Sequence, residues 1–242
     1  MITSLILASS LWPAEVIQQC APSSEAIIVA IAENTKHEHL YCETFTQHDK
    51  KVHANYTFNS TVIATKELDY TISLNNPQVK QKDLRTGERR EATINEKDIT
   101  LLYQEKSTSK TEKETFPLME SDATDAGFNN FIITHWDELL AGKTVPLDFA
   151  SISHQRLLPL KISLKSADKC ALKKAAAAAP ICFWVDIDNA FLRLLIGNIK
   201  LSYDEERRLI QYDGIVNIND SKGKTQHAVI HYYYAKNKQD DK

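Results

Sequence analysis

The chain has 242 residues, 43% of them hydrophobic and 25% charged, with a formal net charge of −3. That length suits one large domain, which buries roughly 70% of its unfolded surface and needs no metal or disulfide staple to fold. The weakly acidic balance argues against a nucleic-acid partner, and six glycines leave little material for phosphate-cradling loops.

The chain opens on an apolar stretch, Met1 to Ala14, carried by Ile2, Leu5, Ile6, Leu7, Leu11 and Trp12, with no charge before Glu15. It is far too short to cross a bilayer, and nothing else reads as a transmembrane span. Its position and polarity suit a secretory signal over residues 1–20, with Ala8-Ser9-Ser10 or Pro13-Ala14 as cleavage points, although the basic residues expected ahead of it are missing. The alternative is an ordinary buried N-terminal segment. With a signal the protein is periplasmic, and residues 21–242 form a single β-rich domain, because no Pro- or Gly-rich linker divides them.

Ala26 to Ala32 is a continuous apolar run and reads as a strand buried on both faces. Lys36 to Phe45 and Val52 to Phe58 flank a polar turn and read as a hairpin. Thr61 to Tyr70 follows, and Asn75-Asn76-Pro77 breaks the chain. Val79 to Leu84 and Glu88 to Ile94 bracket a turn at Gly87, where a positive φ is cheap. Ile99 to Lys106 is a further strand, and polar Ser107 to Glu114 reads as a loop.

The period then changes. Phe128, Phe131, Ile132, His135, Trp136, Leu139 and Leu140 recur at three- and four-residue steps, which predicts an amphipathic helix. Asp122 or Asp125 is placed to cap its start and Gly142 to end it. Period two returns at Val145, Leu147 and Phe149, then in Leu158 to Ser166 and Ile181 to Ile187. Asn189 to Gly197 predicts a second short helix. Ile199 to Tyr203, Ile210 to Ile218 and Ala228 to Tyr234 form a closing meander. Together these elements predict an α+β fold: a curved, mainly antiparallel, half-barrel-like sheet of about ten strands around one central helix.

Four cysteines are present: Cys20, Cys42, Cys170 and Cys182. Cys170 and Cys182 flank an Ala-rich insert and form a disulfide if their strands bring them together; otherwise they are free thiols. His37-x-His39 is the most metal-like feature, because strand residues two apart share a face at about 7 Å, and His48 or His53 across the hairpin offers a third ligand. His227 and His231, about 13 Å apart, are too distant to share an ion. Asp186 and Asp188 read as a solvated pair. There is no nucleophile-elbow motif, so the sequence carries no catalytic signature and calls for no cofactor.

Several stretches together resemble a family of exported proteobacterial proteins with no assigned activity. They are Leu40-Tyr41-Cys42-Glu43, Lys66 to Tyr70, Asp83 to Gly87, Gly127 to Trp136, Leu140-Ala141-Gly142, Tyr203 and Tyr212-Asp213-Gly214 through Asn217-Ile218. The resemblance implies export and carries over no functional residue. At the level of architecture the pattern is also similar to the half-barrels of periplasmic lipoprotein carriers, which shelter acyl chains.

Three functions fit these readings. The first is a non-enzymatic envelope protein that binds an apolar small molecule, an acyl chain or a partner segment between the concave sheet and the helix, using Phe128, Phe131, Ile132, His135 and Trp136, with Trp184 as the opposite wall. The same stripe could equally be plain core. The second is a metal-dependent enzyme built on His37 and His39. The third is an assembly protein that pairs with another envelope protein through a sheet edge at its tyrosine-rich last strand.

Overall fold

The computed structural model describes residues 12–170, 180–187 and 198–235. The helix expected at Asn189 to Gly197 and the Ala-rich insert therefore lie outside the described residues. A first meander runs through β1 (Ile28–Glu33), β2 (His39–His48), β3 (Lys51–Phe58), β4 (Thr61–Asp69), β5 (Gln78–Asp83), β6 (Arg89–Ile94), β7 (Asp98–Gln104) and β8 (Glu112–Pro117). After the two-residue β9 (Ala123–Thr124), a second runs through β10 (Val145–Ser151), β11 (Arg156–Lys165), β12 (Ile181–Ile187), β13 (Ile199–Tyr203), β14 (Leu209–Ile215) and β15 (His227–Tyr234). The described strands form one sheet of fifteen, more than the sequence pattern suggested. The additions include β8, whose residues are almost all exposed and carry no apolar period, and β9.

The strand order places β1 beside β15, so the two meanders grow outward from the middle of the sheet and end at β8 and β9. A flat sheet of this size would hold its outer strands about 65 Å apart. Yet β8 and β9 are joined by only Leu118 to Asp122, a link whose reach is about 21 Å. The sheet must curl until its two ends approach each other. The result is barrel-like, with Ala150 and Ile152 of the second meander packed among Leu68, Val79, Ile94, Ile99 and Leu101 of the first.

The amphipathic segment forms two short helices, α2 (Gly127–Thr134) and α3 (Trp136–Leu140). His135 leaves helical geometry between them, at φ −96° and ψ 15°. Neither expected acidic cap does that job. The Asp122 carboxylate accepts from the Asp148 backbone N–H, and Asp125 is taken up mainly by Lys66. Gly142, at φ +81°, ends α3 as predicted: its N–H bonds the Leu139 carbonyl, while the Lys143 N–H reaches Glu138, the paired pattern of a left-handed helix stop.

A further helix, α1 (Ala14–Cys20), lies inside the stretch read as a signal. Trp12 and Val16 pack on Val29 and Ile31, which face away from the interior. Cys20 is disulfide-bonded to Cys42 on β2, a pairing the sequence reading missed. The described residues of 1–20 thus belong to the folded body, and a boundary at residue 20 falls within it. This cover explains the unbroken apolar run of β1: Val29 and Ile31 meet α1, while Ala30 and Ala32 face inward. Cys170 and Cys182 are also joined, with Cα atoms 5.5 Å apart.

Among the described glycines, Gly127 marks the tightest approach. A Cβ there would stand 1.8 Å from the Asn75 carbonyl oxygen, whereas one on Gly142 would meet nothing within 4 Å. Gly127→Ala should cost about 3 kcal/mol or more through backbone displacement, and Gly142→Ala about 1 kcal/mol through its positive φ alone. Urea unfolding of the two variants beside the parent protein checks the difference.

Candidate functional site

Of the residues expected to wall an apolar pocket, three lie in the core. Phe131, Ile132 and Trp136 are buried with Leu147, Leu160, Phe183 and Tyr203. The Trp136 ring, 2% exposed, meets Phe183 and Tyr203 edge-on at 5.2 and 5.3 Å. Phe128 meets Phe149 edge-on at 6.0 Å. His135 is partly exposed and pairs with Glu138 at 3.2 Å. Trp184 is not the opposite wall. Its neighbours Phe183 and Val185 enter the core, so strand alternation turns Trp184 to the other face, where the Lys165 and Lys200 ammonium groups lie 5.5 and 5.9 Å from its ring.

The histidine pair does not share a strand face either. His37 sits in the β1–β2 turn at φ +64° and pairs with Glu33, while β2 begins only at His39. His39 stacks on Phe58 and lies 3.5 Å from the Cys42 sulfur, and burial lowers its pKa. Among the described residues no group of three His, Cys, Asp or Glu side chains converges as metal ligands do. The tyrosine-rich last strand is not an edge: β15 is paired on both sides, by β1 and β14.

What the sequence reading missed is a polar cluster on the inner face of the sheet. Register brings it together. Glu43 on β2 lies opposite Tyr56 on β3 and Ala30 on β1, and Ala30 lies opposite Tyr232 on β15. One step along, Tyr41 lies opposite Ala32, which lies opposite Ile230, itself across from Tyr212. The rings of Tyr41 and Tyr56 meet at 5.9 Å and 71°. Ala30, Ala32, Ala54 and Ala64 are all fully buried, and these short side chains form the floor between the aromatic rings.

Around this centre the charges pair off. Lys66 donates to both oxygens of Asp125 at 2.8 and 3.0 Å, and Asn217 donates to the same carboxylate. Arg85 binds Asp83 at 2.6 Å and Arg90 binds Glu88. The stretch Asn217 to Asn219 crosses from the second meander to accept from Gln81, Arg85 and Arg90 and to donate to Glu88.

Glu43 is the exception. It is 5% exposed, and among the described residues neither an ion pair within 4.0 Å nor a hydrogen bond engages its carboxyl group. Burial pushes its pKa up to about 7; Lys66 draws it down in part, and Asp125 adds to the rise. The Tyr41 hydroxyl beside it is buried without a hydrogen-bond partner, as is Gln81 Oε1. Burial, with the charge of Glu43 second, drives the hydroxyls of Tyr41, Tyr56 and Tyr232 well above their ordinary range. An acidic residue standing between Tyr41 and Phe45 on the apolar side of an alternating strand was the available signal.

No protein-family model and no curated protein matches the sequence. Among solved structures, the fold is similar to a β-barrel-like protein of the domain of unknown function DUF1849 from Brucella abortus, at 8% identity and a TM-score of 0.49, covering 88% of this chain and 100% of that one.

Glu43 sets a pH dependence with a definite sign. Between the ordinary value of 4.5 and about 7 the folded chain holds a proton that the unfolded chain has released. Stability therefore falls as pH rises through that window, by about 3 kcal/mol in all, and levels off above it. Glu43→Gln should remove this slope, so that its advantage over the parent grows from near zero at about pH 4.5 to about 3 kcal/mol at about pH 7.5. Urea midpoints measured across that range check it.

Proposed function

We propose that this chain is a non-enzymatic binding protein of an oxidising envelope compartment, and that its guest sits inside the curl of the sheet. The site is the cluster of Tyr41, Glu43, Tyr56 and Tyr232, not the aromatic stripe of α2 and α3. One observation carries the reading: the Tyr41 hydroxyl is buried without a hydrogen-bond partner, and the buried carboxyl group of Glu43, two residues along the same strand, has no ion-pair partner within 4.0 Å among the described residues. An unsatisfied buried polar group costs about 1–3 kcal/mol, more where it is charged, so a chain that keeps both has a use for them.

Two disulfides support the compartment, because such bonds persist where thiols are not kept reduced. The packing of Trp12 and Val16 on β1 favours, of the two candidate leader cleavage points, Ala8-Ser9-Ser10 over Pro13-Ala14. Among the described residues no helix is long and apolar enough to cross a membrane.

Native mass spectrometry of protein purified from its own host tests the reading. A non-covalent adduct is expected on the parent protein. It should be lost in Ala30→Leu, which fills the floor beside Glu43, at a stability cost of about 1–3 kcal/mol. Parent protein without an adduct, or an adduct unaffected by Ala30→Leu, would count against an interior guest.

A further inference from the structure

The chemistry of the cluster also says what kind of guest it fits. We propose that the interior site holds a small organic monocation, an amine or a quaternary ammonium group, with Glu43 as its counter-charge and the faces of Tyr41, Tyr56 and Tyr232 as its walls. This rests on the reading of the interior as a guest site and goes one step further.

Charge is the first argument. Two basic side chains are buried in the described interior and Arg85 stands at its rim, and each has an acidic partner: Lys66 with Asp125, Arg90 with Glu88, Arg85 with Asp83. Glu43 is left over, so the site carries one excess negative charge whenever that carboxyl ionises. An anionic guest would be repelled. A neutral guest would leave the charge buried and uncompensated, the costly arrangement. A monocation balances it. Calcium and magnesium need six or more oxygen ligands and zinc three or four converging side chains, and one carboxylate among phenols supplies neither set.

The walls give the second argument. Aromatic faces carry negative quadrupole charge and attract desolvated cations, which is why cages of aromatic rings recognise quaternary ammonium groups. Tyr41 and Tyr56 stand nearly perpendicular, at 71°, and so form a corner rather than a stack. Cross-strand register puts Tyr56 on one side of Glu43 and Tyr232, beyond Ala30, on the other. The alanine floor leaves the rings as the bulky groups around the carboxyl.

The third argument is access. Along the inner face of β2, exposure rises from Tyr41 and Glu43, both buried, through partly buried Phe45 to exposed Gln47. Along β15 it rises from buried Ala228 and Ile230 to partly buried Tyr232 and Tyr234. These gradients point the same way, because Phe45 and Tyr234 lie across from the same residue, Ile28. The cluster therefore sits just below one open end of the curl.

Binding should be proton-linked, since the cation needs the ionised carboxyl. The groups that face Glu43 are Tyr41 on its own strand, Tyr56 on β3, Lys66 on β4, Asp125 ahead of α2, Tyr212 on β14 and Tyr232 on β15. The four tyrosines have hydroxyl pKa values raised above the ordinary value, and Lys66 and Asp125 are locked to each other. Glu43 is then the group that titrates near neutrality.

Isothermal titration calorimetry on the full chain, with choline and its uncharged isostere carrying a tert-butyl group, tests the assignment. Choline should bind and the isostere should not. Affinity should weaken about tenfold for each pH unit below about 7. Glu43→Gln should weaken choline binding by about thirtyfold or more, while Tyr56→Phe, which keeps the ring face, should stay within about threefold. Equal binding of the isostere, or undiminished binding in Glu43→Gln, overturns the cation assignment. So does failure of both choline and butylammonium to bind at millimolar concentration. If the host-derived adduct still depends on Ala30, the interior site survives that result and its guest is of another class; if no adduct exists either, both readings fall.

Discussion

The antiparallel pairing of β1 with β15 is the constraint on which the architecture depends. Each meander by itself is a run of strands paired with their neighbours in sequence. Joining the first strand to the last makes them one sheet, and the five-residue link between β8 and β9 then forces that sheet to curl. The interior exists because a long antiparallel ribbon is held near both its middle and its ends. Contacts of this range are formed late and at a high entropic cost, and the protein reinforces them. Helix α1 covers the outer face of β1, and the Cys20–Cys42 bridge ties it down across a separation of 22 residues, a loop closure worth about 3 kcal/mol in the chain-entropy account.

The two halves of the interior solve the problem of filling a curled sheet differently. Beside β10 to β13 the space is taken by α2 and α3, whose Phe131, Ile132, Trp136 and Leu139 close against the sheet as ordinary core. Beside β1 to β4 no described helix enters the interior. There the inner face carries alanines, tyrosines and charged groups, and Asn217 to Asn219 reaches across to hold Gln81, Arg85, Glu88 and Arg90. The edges of the sheet are protected in the usual ways: β8 carries Glu112, Lys113, Glu114 and Pro117 on an exposed strand, and β9 is only two residues long.

How much of this was legible follows from what periodicity can carry. Alternation located most of the strands, and the two-sided burial of β1 was visible in its unbroken apolar run. Gly142 was recognisable because a left-handed helix stop leaves a residue-level mark. Strand parity was overlooked where chemistry was read from residue type alone: Trp184 is aromatic, but its place between Phe183 and Val185 on β12 turns it outward. His37 and His39 are two apart, but the β1–β2 turn lies between β1 and the strand that starts at His39. Cys20 was set aside with a supposed leader, which hid its bridge to Cys42. The interior cluster needs the register of four strands at once, and no local pattern reports that Tyr56, Glu43, Ala30 and Tyr232 fall in one row.

The contrast between the two halves bears on function. Had folding alone shaped the inner face of β1 to β4, an aliphatic side chain at Glu43 would fill the same space without the desolvation cost of a carboxyl, and buried charges are often replaced by apolar groups with no loss of stability. Lys66, Arg85 and Arg90 can be excused, since Lys66 ties β4 to Asp125 and the two arginines, besides their local pairs with Asp83 and Glu88, bond Asn219 and Asn217 far along the chain. Glu43 joins nothing. Burial raises its pKa toward neutrality, and Lys66 offsets that only in part, so within the chain it acts as a cost in search of a counter-charge. A guest that supplies that charge turns the least stabilising residue of the interior into its most selective one, and the alanine floor and tyrosine walls then follow as the shape that such a guest requires.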